Sequence, residues 1–212
     1  MSQVYFDEEN ATADELWDWC TLEYNSTNFI SKVLIDNYYE RIKRIVGQFG
    51  NDMRILEVGC GAAESSDRIK SLLKEQHFEI SDYDPRYVSK VKEHKKHHLI
   101  TQESVYELKR PDNSFDAVFL LEVMEHLDNY ELALKELFRV SRRYVILSVP
   151  NEPLWRILNL ARFRYVKDWG NTPGHLNHWN ASGFSRLVSK FGIVRKVYLP
   201  IPWIILVAEK HD

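Results

Sequence analysis

Ile55-Leu56-Glu57-Val58-Gly59-Cys60-Gly61-Ala62-Ala63 is the stretch on which the fold of this chain turns. Its apolar run, with an acid near the end, reads as a short buried strand that passes straight into a glycine turn. From Glu64 to Leu73 the pattern becomes helical. Glycines at 59 and 61 let the backbone come close to a ligand, and Glu57 beside them offers a carboxylate to its polar groups. A second strand ending in an acid follows, Phe78-Glu79-Ile80-Ser81-Asp82. In doubly wound folds an acid at that place faces a ribose diol. Two acids and a glycine turn in this order describe a pocket for an adenosine-containing cofactor.

Outward from that turn, the pattern alternates. It predicts strands near 53–58, 78–82, 98–101, 116–121 and 143–149, with helices near 63–74, 85–94 and 130–141. This order calls for a parallel sheet with right-handed crossovers. Two last strands, 193–199 and 203–209, are joined only by Pro200-Ile201-Pro202, and so short a connection requires antiparallel pairing. Before the sheet, residues 11–23 read as a short amphipathic helix and Phe29 to Val46 as a longer one, separated by the polar stretch 24–28. Between 150 and 179 lies one long irregular insertion rich in Pro, Trp, Arg and Gly, and such insertions are usually functional.

Composition narrows the function classes. A chain of 212 residues, 44% hydrophobic and 28% charged, is that of a soluble globular domain. Its net charge of -3 gives no electrostatic case for nucleic acid as partner. Charge is uneven, with nine acids against four Lys/Arg in residues 1–50 and four against nine in 151–212. The two cysteines, Cys20 and Cys60, form no pattern, and no Cys/His spacing suits a metal, so none is expected. The first ten residues lack the basic and apolar regions of a signal peptide, and no apolar run reaches the length of a membrane span. Cytoplasmic residence is the expectation.

Taken together, these residues resemble the class I S-adenosylmethionine-dependent methyltransferases, and within them the small-molecule group called type 11. The likeness is best over 53–149. Glu57-Val58-Gly59-Cys60-Gly61 matches the family's acid-x-Gly-x-Gly loop, in which the acid and the loop backbone hold the methionine end of the cofactor. Ala63 stands where many members carry a third glycine. Asp82-Tyr83-Asp84-Pro85 matches the acid for the ribose hydroxyls followed by a Pro-initiated helix, with Asp84 as rival ribose acid or as the cap of that helix. Where members place an Asp for the adenine amino group, this chain reads Gln102-Glu103-Ser104-Val105, so that Ser104 or Glu103 stands in and Val105 lies against the ring. Leu121-Glu122-Val123-Met124-Glu125-His126-Leu127 resembles the segment that floors the active site, and Tyr24 and Asn28 fall where the N-terminal segment approaches the cofactor's carboxylate.

What the resemblance implies is an α/β chain with a doubly wound, mostly parallel seven-stranded sheet whose last strand is antiparallel. It divides 1–212, read as a single domain, into a helical lid (1–50), a cofactor-binding core (53–149), an acceptor-side insertion (150–179) and a C-terminal helix with antiparallel strands (180–212). The implied reaction moves a methyl group from S-adenosylmethionine to a small molecule, through oxygen of an aromatic or lipid-linked acceptor, and leaves S-adenosylhomocysteine. An oxygen nucleophile must lose a proton, and His126, His175 and His178 are the candidate bases. Each has a plain alternative: His126 as brace of the turn, His175 or His178 as loop hydrogen-bonders. Residues 153–165, basic and amphipathic, read either as a surface that touches a membrane or as a cover packed on its own domain. His94-Lys95-Lys96-His97-His98 reads as a solvated rim, and Trp17 and Trp19 as pocket lining or ordinary packing. Two rival functions stay open here. One is a nicotinamide-dependent oxidoreductase, which lacks its longer Gly-x-Gly-x-x-Gly motif; the other is an S-adenosylmethionine-binding protein without catalysis.

Overall fold

Apolar residues alternate between two faces along the strands, and both faces are buried. The computed structural model describes residues 10–24 and 29–211, with the side chains of 22–24 outside that description. Its seven strands are β1 (Arg54–Val58), β2 (His77–Asp82), β3 (Leu99–Gln102), β4 (Phe115–Leu121), β5 (Ser141–Pro150), β6 (Gly192–Tyr198) and β7 (Trp203–Lys210). They form one sheet in the order β3-β2-β1-β4-β5-β7-β6, with β7 antiparallel to both neighbours and the first five strands parallel. Ile55, Ile80, Ala117, Phe119, Ile146 and Ile205 point to one face, and Leu56, Val118, Leu120, Val145, Leu147 and Leu206 to the other. Burial on both sides is why these strands read as near-continuous apolar runs.

The described helices are α1 (Ala13–Tyr24), α2 (Phe29–Val46), α3 (Glu64–Leu72), α4 (Pro85–His94), α5 (Tyr130–Val140), α6 (Leu154–Ala161) and α7 (Ala181–Val188). Tyr38, Ile42, Ile69, Val88 and Val91 bring α2, α3 and α4 onto the first face. Leu134, Leu137, Phe184 and Val188 bring α5 and α7 onto the second. Local chemistry sets the helix starts. Asp84 accepts a hydrogen bond from Arg86 N–H ahead of Pro85, Asn129 accepts from Leu132 N–H, and Asn180 from Gly183 N–H.

The chain leaves the centre of the sheet at β1, runs outward to β3, and returns to lay β4 on the other side of β1. That reversal opens a crevice at the carboxyl ends of β1 and β4, where open α/β sheets bind ligands. The two N-terminal helices occupy different places around it. On α1, Trp17 stacks on His94 at 5.2 Å, Cys20 Sγ lies 2.9 Å from Tyr87 Oη, and Asp14 pairs with Lys90, so this helix is fastened to α4. On α2, Tyr38 Oη meets Ser148 Oγ at 2.7 Å, at the carboxyl end of β5. The 150–179 insertion is clasped at its base, where Asn151 and Trp179 form a β-bridge and Glu152 N–H donates to Trp179 O. Among the described residues no helix is long and apolar enough to cross a membrane.

Candidate active site

At the end of β1 the backbone turns through Gly59 (φ 71°) and Gly61 (φ 51°), both left-handed. Gly59 and Cys60 N–H donate to Ser81 O, fastening the turn to β2. A Cβ on Gly59 would lie 2.7 Å from Val123 Cγ2, so the glycine turn sits directly against the segment that follows β4. A Cβ on Gly61 would meet nothing within 4 Å. That open side is a cradle of bare backbone with φ values that glycine adopts without cost. Ala63, where a glycine is common among the resembling sequences, also has a left-handed backbone at φ 59°.

Carboxylates surround the turn. Glu57 is buried and accepts hydrogen bonds from Ser65 Oγ and Ser66 Oγ, each at 2.6 Å. Burial pushes its carboxyl up to about 7 against the two hydroxyl hydrogen bonds. Asp82 Oδ2 accepts from Gly61 N–H at 2.7 Å and Oδ1 from Asp84 N–H at 2.8 Å, and burial raises this carboxyl too. Asp84 caps α4 and pairs with Arg86 at 2.6 Å, so its carboxylate is already engaged within the protein. Tyr83, beside Asp82, is 73% exposed. The Cys60 thiol is buried and pushed up by that burial, so it is an inert packing group.

On the adenine side the candidate residues are partly engaged within the protein. Glu103 does not stand free for a base: its carboxylate accepts from Thr101 Oγ1, Lys109 N–H and Arg110 Nε, in a network that also joins Arg110 to Glu79. Ser104 Oγ accepts from Tyr106 N–H, the geometry of a tight turn. Val105 is buried in the core. Leu121 instead borders a cavity of about 60 Å³ with Tyr38, Glu122, Ser65 and Trp203. Tyr24 ends α1 and its side chain lies outside the described residues, as does Asn28.

After β4 the backbone is strained at Glu122, a non-glycine residue at φ 56°. Tyr38 Oη, Ser148 Oγ and the Glu122 carboxylate form a chain of hydrogen bonds, 2.7 Å at each link. Burial raises the Glu122 carboxyl to about 8. Glu125, 2% exposed, has a buried Oε2 with no hydrogen-bond partner, and burial and the neighbouring Glu122 raise its carboxyl strongly.

The segment 174–177 docks onto this same turn. Leu176 and Asn177 N–H donate to Glu125 O, and Asn177 Nδ2 donates to Leu127 O at 2.6 Å. His126 Nδ1–H faces Gly174 O at 3.1 Å, leaving Nε2 unengaged. The buried His175 ring stands perpendicular to the His126 ring at 4.9 Å, with Trp155 stacked at 6.1 Å and itself anchored through Nε1 to Thr172 Oγ1. Desolvation lowers His175 to about 3, with a further contribution from His126, and lowers the more exposed His126 as well, so the His175 ring is neutral at physiological pH. His178 does not join them. Its Nε2 lies 2.5 Å from Arg156 Nη2, on the insertion side. In the 94–98 stretch the expected solvated rim holds at His94, Lys96 and His97 but not at Lys95, paired with Glu64 and Asp67, nor at His98, which is buried with Nε2 2.7 Å from Asp67.

Sequence reasoning singled out the glycine turn, both strand-end acids and the histidines. It missed Ser65, Ser66, Tyr38, Ser148 and the orphaned carboxylate of Glu125. Two adjacent serines one turn into the helix after an acid-bearing strand are a readable signal for the first pair. The others are joined only by the tertiary fold.

The model of a methyltransferase domain family matches residues 31–194. A probable S-adenosylmethionine-dependent methyltransferase of Mycobacterium tuberculosis is 28% identical over 76% of this chain and 57% of its own length. The demethylmenaquinone methyltransferase of Listeria welshimeri is 31% identical over 53% of this chain and 52% of that protein. The chain therefore spans little more than half the length of these curated relatives. In fold it is similar to the magnesium protoporphyrin IX methyltransferase of Synechocystis PCC 6803, solved with bound S-adenosylhomocysteine, at a TM-score of 0.64 over 88% of this chain and 89% of that one, with 14% identity.

Proposed function

The chain belongs to the class I S-adenosylmethionine-dependent methyltransferases, and on that premise we propose that it methylates an oxygen of a small aromatic or lipid-linked acceptor. One observation carries the proposal. The close approach of Gly59 to Val123 sets the glycine turn against the segment bearing Glu125 and His126, which supports one crevice for cofactor and acceptor. S-adenosylmethionine, when bound, supplies a methyl carbon already activated by its sulfonium.

The residues present fit that cofactor. Gly61 offers an open backbone cradle, and Asp82 keeps lone pairs free for ribose hydroxyls beyond the two N–H groups it accepts. In this reading Tyr83 is assigned to the nucleoside, and Glu57 with Gly59 and Cys60 to the methionine end. Buried carboxylates at 57, 82 and 122 suit a ligand carrying a sulfonium and an ammonium, since positive charge relieves their burial. On the acceptor side, His126 Nε2 and the neutral His175 ring offer hydrogen-bond acceptors to a hydroxyl. Orientation and exclusion of water are then the main tasks of the chain.

The 150–179 insertion is the acceptor-side element of the proposal. Beyond α6, Phe163 (85% exposed), Val166 and Trp169 (79%) stand out among Arg162, Arg164 and Lys167. Apolar tips within a basic loop support peripheral contact with an anionic lipid surface, from which a lipid-linked acceptor would be drawn. The Listeria relative, whose name carries a quinone, supports an aromatic acceptor of that kind.

Incubation with S-adenosylmethionine and a panel of phenols, catechols and quinols, read by mass spectrometry for gain of one methyl group, tests the proposal. Transfer to a hydroxyl oxygen is the expected result. Transfer only to nitrogen or carbon acceptors overturns the choice of oxygen, and S-adenosylhomocysteine binding without any transfer overturns catalysis.

A further inference from the structure

Glu125, His126 and His175 bring one carboxylate oxygen and two imidazole nitrogens together, all within 4.8 Å of one another. We propose that these three side chains form a binding site for a divalent transition cation of the zinc type. Three protein ligands of two-nitrogen, one-oxygen composition with an open side are the donor set of catalytic zinc and of facial-triad metal sites. Bonds of about 2.1 Å place tetrahedral ligand atoms about 3.4 Å apart. Seating a cation would draw the three atoms together from their present spacing.

Several independent observations point to a ligand here. Glu125 is 2% exposed, yet its Oε2 has no hydrogen-bond partner. A buried polar group without a partner costs free energy unless something fills its place. His126 is already oriented, with Nδ1–H turned to Gly174 O and Nε2 directed away from that bond. A ring nitrogen held by a carbonyl is the usual partner arrangement of a metal-bound histidine. His126 is exposed while Glu125 and His175 are buried, so the cluster has a path from solvent. The nearest guanidinium, Arg156, is turned to His178 and Glu152.

A second cluster of the same composition, Asp67, His97 and His98, shows the contrast. There Lys95 Nζ lies 2.8 Å from Asp67 Oδ2, and both histidine Nε2 atoms already engage Oδ1 at 2.7 Å. Its carboxylate is satisfied and a lysine ammonium holds the place of a cation. Only the Glu125 cluster leaves its carboxylate oxygen orphaned.

The site shares His126 and His175 with the proposed acceptor seat, so its catalytic role rests on that reading, while cation binding itself can be read with neither substrate present. With a cation seated, the two imidazoles are ligands rather than bases, and the cation takes over the lowering of an acceptor hydroxyl's pKa.

Calorimetric titration of the chelator-stripped protein with Zn²⁺ and, separately, Mg²⁺ tests the proposal. One Zn²⁺ per chain is expected, with Mg²⁺ bound far more weakly, since magnesium favours all-oxygen ligands. Cobalt substitution should give visible absorption bands that vanish in His175→Ala. Glu125→Gln, which keeps the shape of the side chain, should weaken Zn²⁺ by more than about tenfold, while His97→Ala should leave it unchanged. A melting curve for each variant separates loss of ligand from loss of fold. Stoichiometry and affinity unmoved by Glu125→Gln and His175→Ala, or Zn²⁺ lost in His97→Ala alone, would overturn the site.

Discussion

Gly61 N–H donates to Asp82 Oδ2 over 2.7 Å, tying the glycine turn after the first strand to the acid that ends the second. Asp82 thus holds the cradle in shape, in addition to its proposed contact with the ribose. Asp82→Ala should therefore lower unfolding free energy by about 1–3 kcal/mol, the cost of leaving buried N–H groups unpaired, and weaken S-adenosylhomocysteine binding. Asp84→Ala removes a helix cap instead, costing about 0.5–2 kcal/mol, with the affinity retained. Denaturant melts and calorimetry on both variants check the assignment. Affinity lost at 84 and kept at 82 would exchange their roles.

Gly59 and Gly61 separate by what surrounds them. Left-handed backbone costs an alanine about 1–2 kcal/mol at either position. Gly59→Ala adds an overlap with Val123 Cγ2, so it should destabilise the fold beyond that and shift the 122–126 segment. Its first obstacle is protein, not ligand. Gly61→Ala meets no protein atom, so its damage should fall mainly on cofactor affinity. Pairing Gly59→Ala with Val123→Ala should recover part of the stability loss, and no recovery would mean that backbone strain alone accounts for it.

A pH dependence follows from Glu57. Its folded pKa of about 7 lies above the ordinary 4.5, so between those values the native state keeps a proton that the unfolded chain has released. On this group's account, stability is greatest at low pH and is lost as pH rises through about 7. Ligand-free melting temperature should fall between about pH 4.5 and 7 and level off above that, and Glu57→Gln should flatten that fall. Affinity for the cationic cofactor should move the other way, rising as Glu57 ionises. A wild-type profile identical to that of Glu57→Gln would remove this carboxylate from both effects.

How much of this was legible in the sequence depends on the distance over which residues speak to each other. The strand Phe115–Leu121 and the helix Pro85–His94 are written in local periodicity, a buried run and an Asp-Pro start, and they appear where the pattern puts them. Alternation calls for a parallel sheet, but the reversal between β1 and β4 is not written in it and comes with the family resemblance. His126 and His175 are another matter. They meet because the backbone of Leu176 and Asn177 bonds to Glu125 O, a docking of two loops with no periodic signature. The buried, partnerless state of Glu125 is equally invisible from the chain, since a glutamate near a strand end reads as exposed. Trp17, an apolar residue on an amphipathic helix, does find an aromatic surface, and it is His94 on α4.

The exposed tip of the insertion gives the last prediction. Ile157, Phe163, Val166 and Trp169 are exposed apolar side chains within a stretch that has Arg162, Arg164 and Lys167 interleaved. Apolar burial in the headgroup region, assisted by attraction of basic residues to anionic lipid, is the force available to such a loop. Flotation with vesicles containing phosphatidylserine should carry the protein at low salt, and screening at high salt should release much of it. Phe163→Ser combined with Trp169→Ser should abolish flotation while leaving S-adenosylhomocysteine affinity unchanged, because neither side chain borders the cradle. Trp155→Ala differs, since that ring packs on His175: it should lower turnover of a soluble acceptor without altering vesicle binding. Protein that stays with the soluble fraction at low salt would assign the exposed aromatics to some task other than holding lipid.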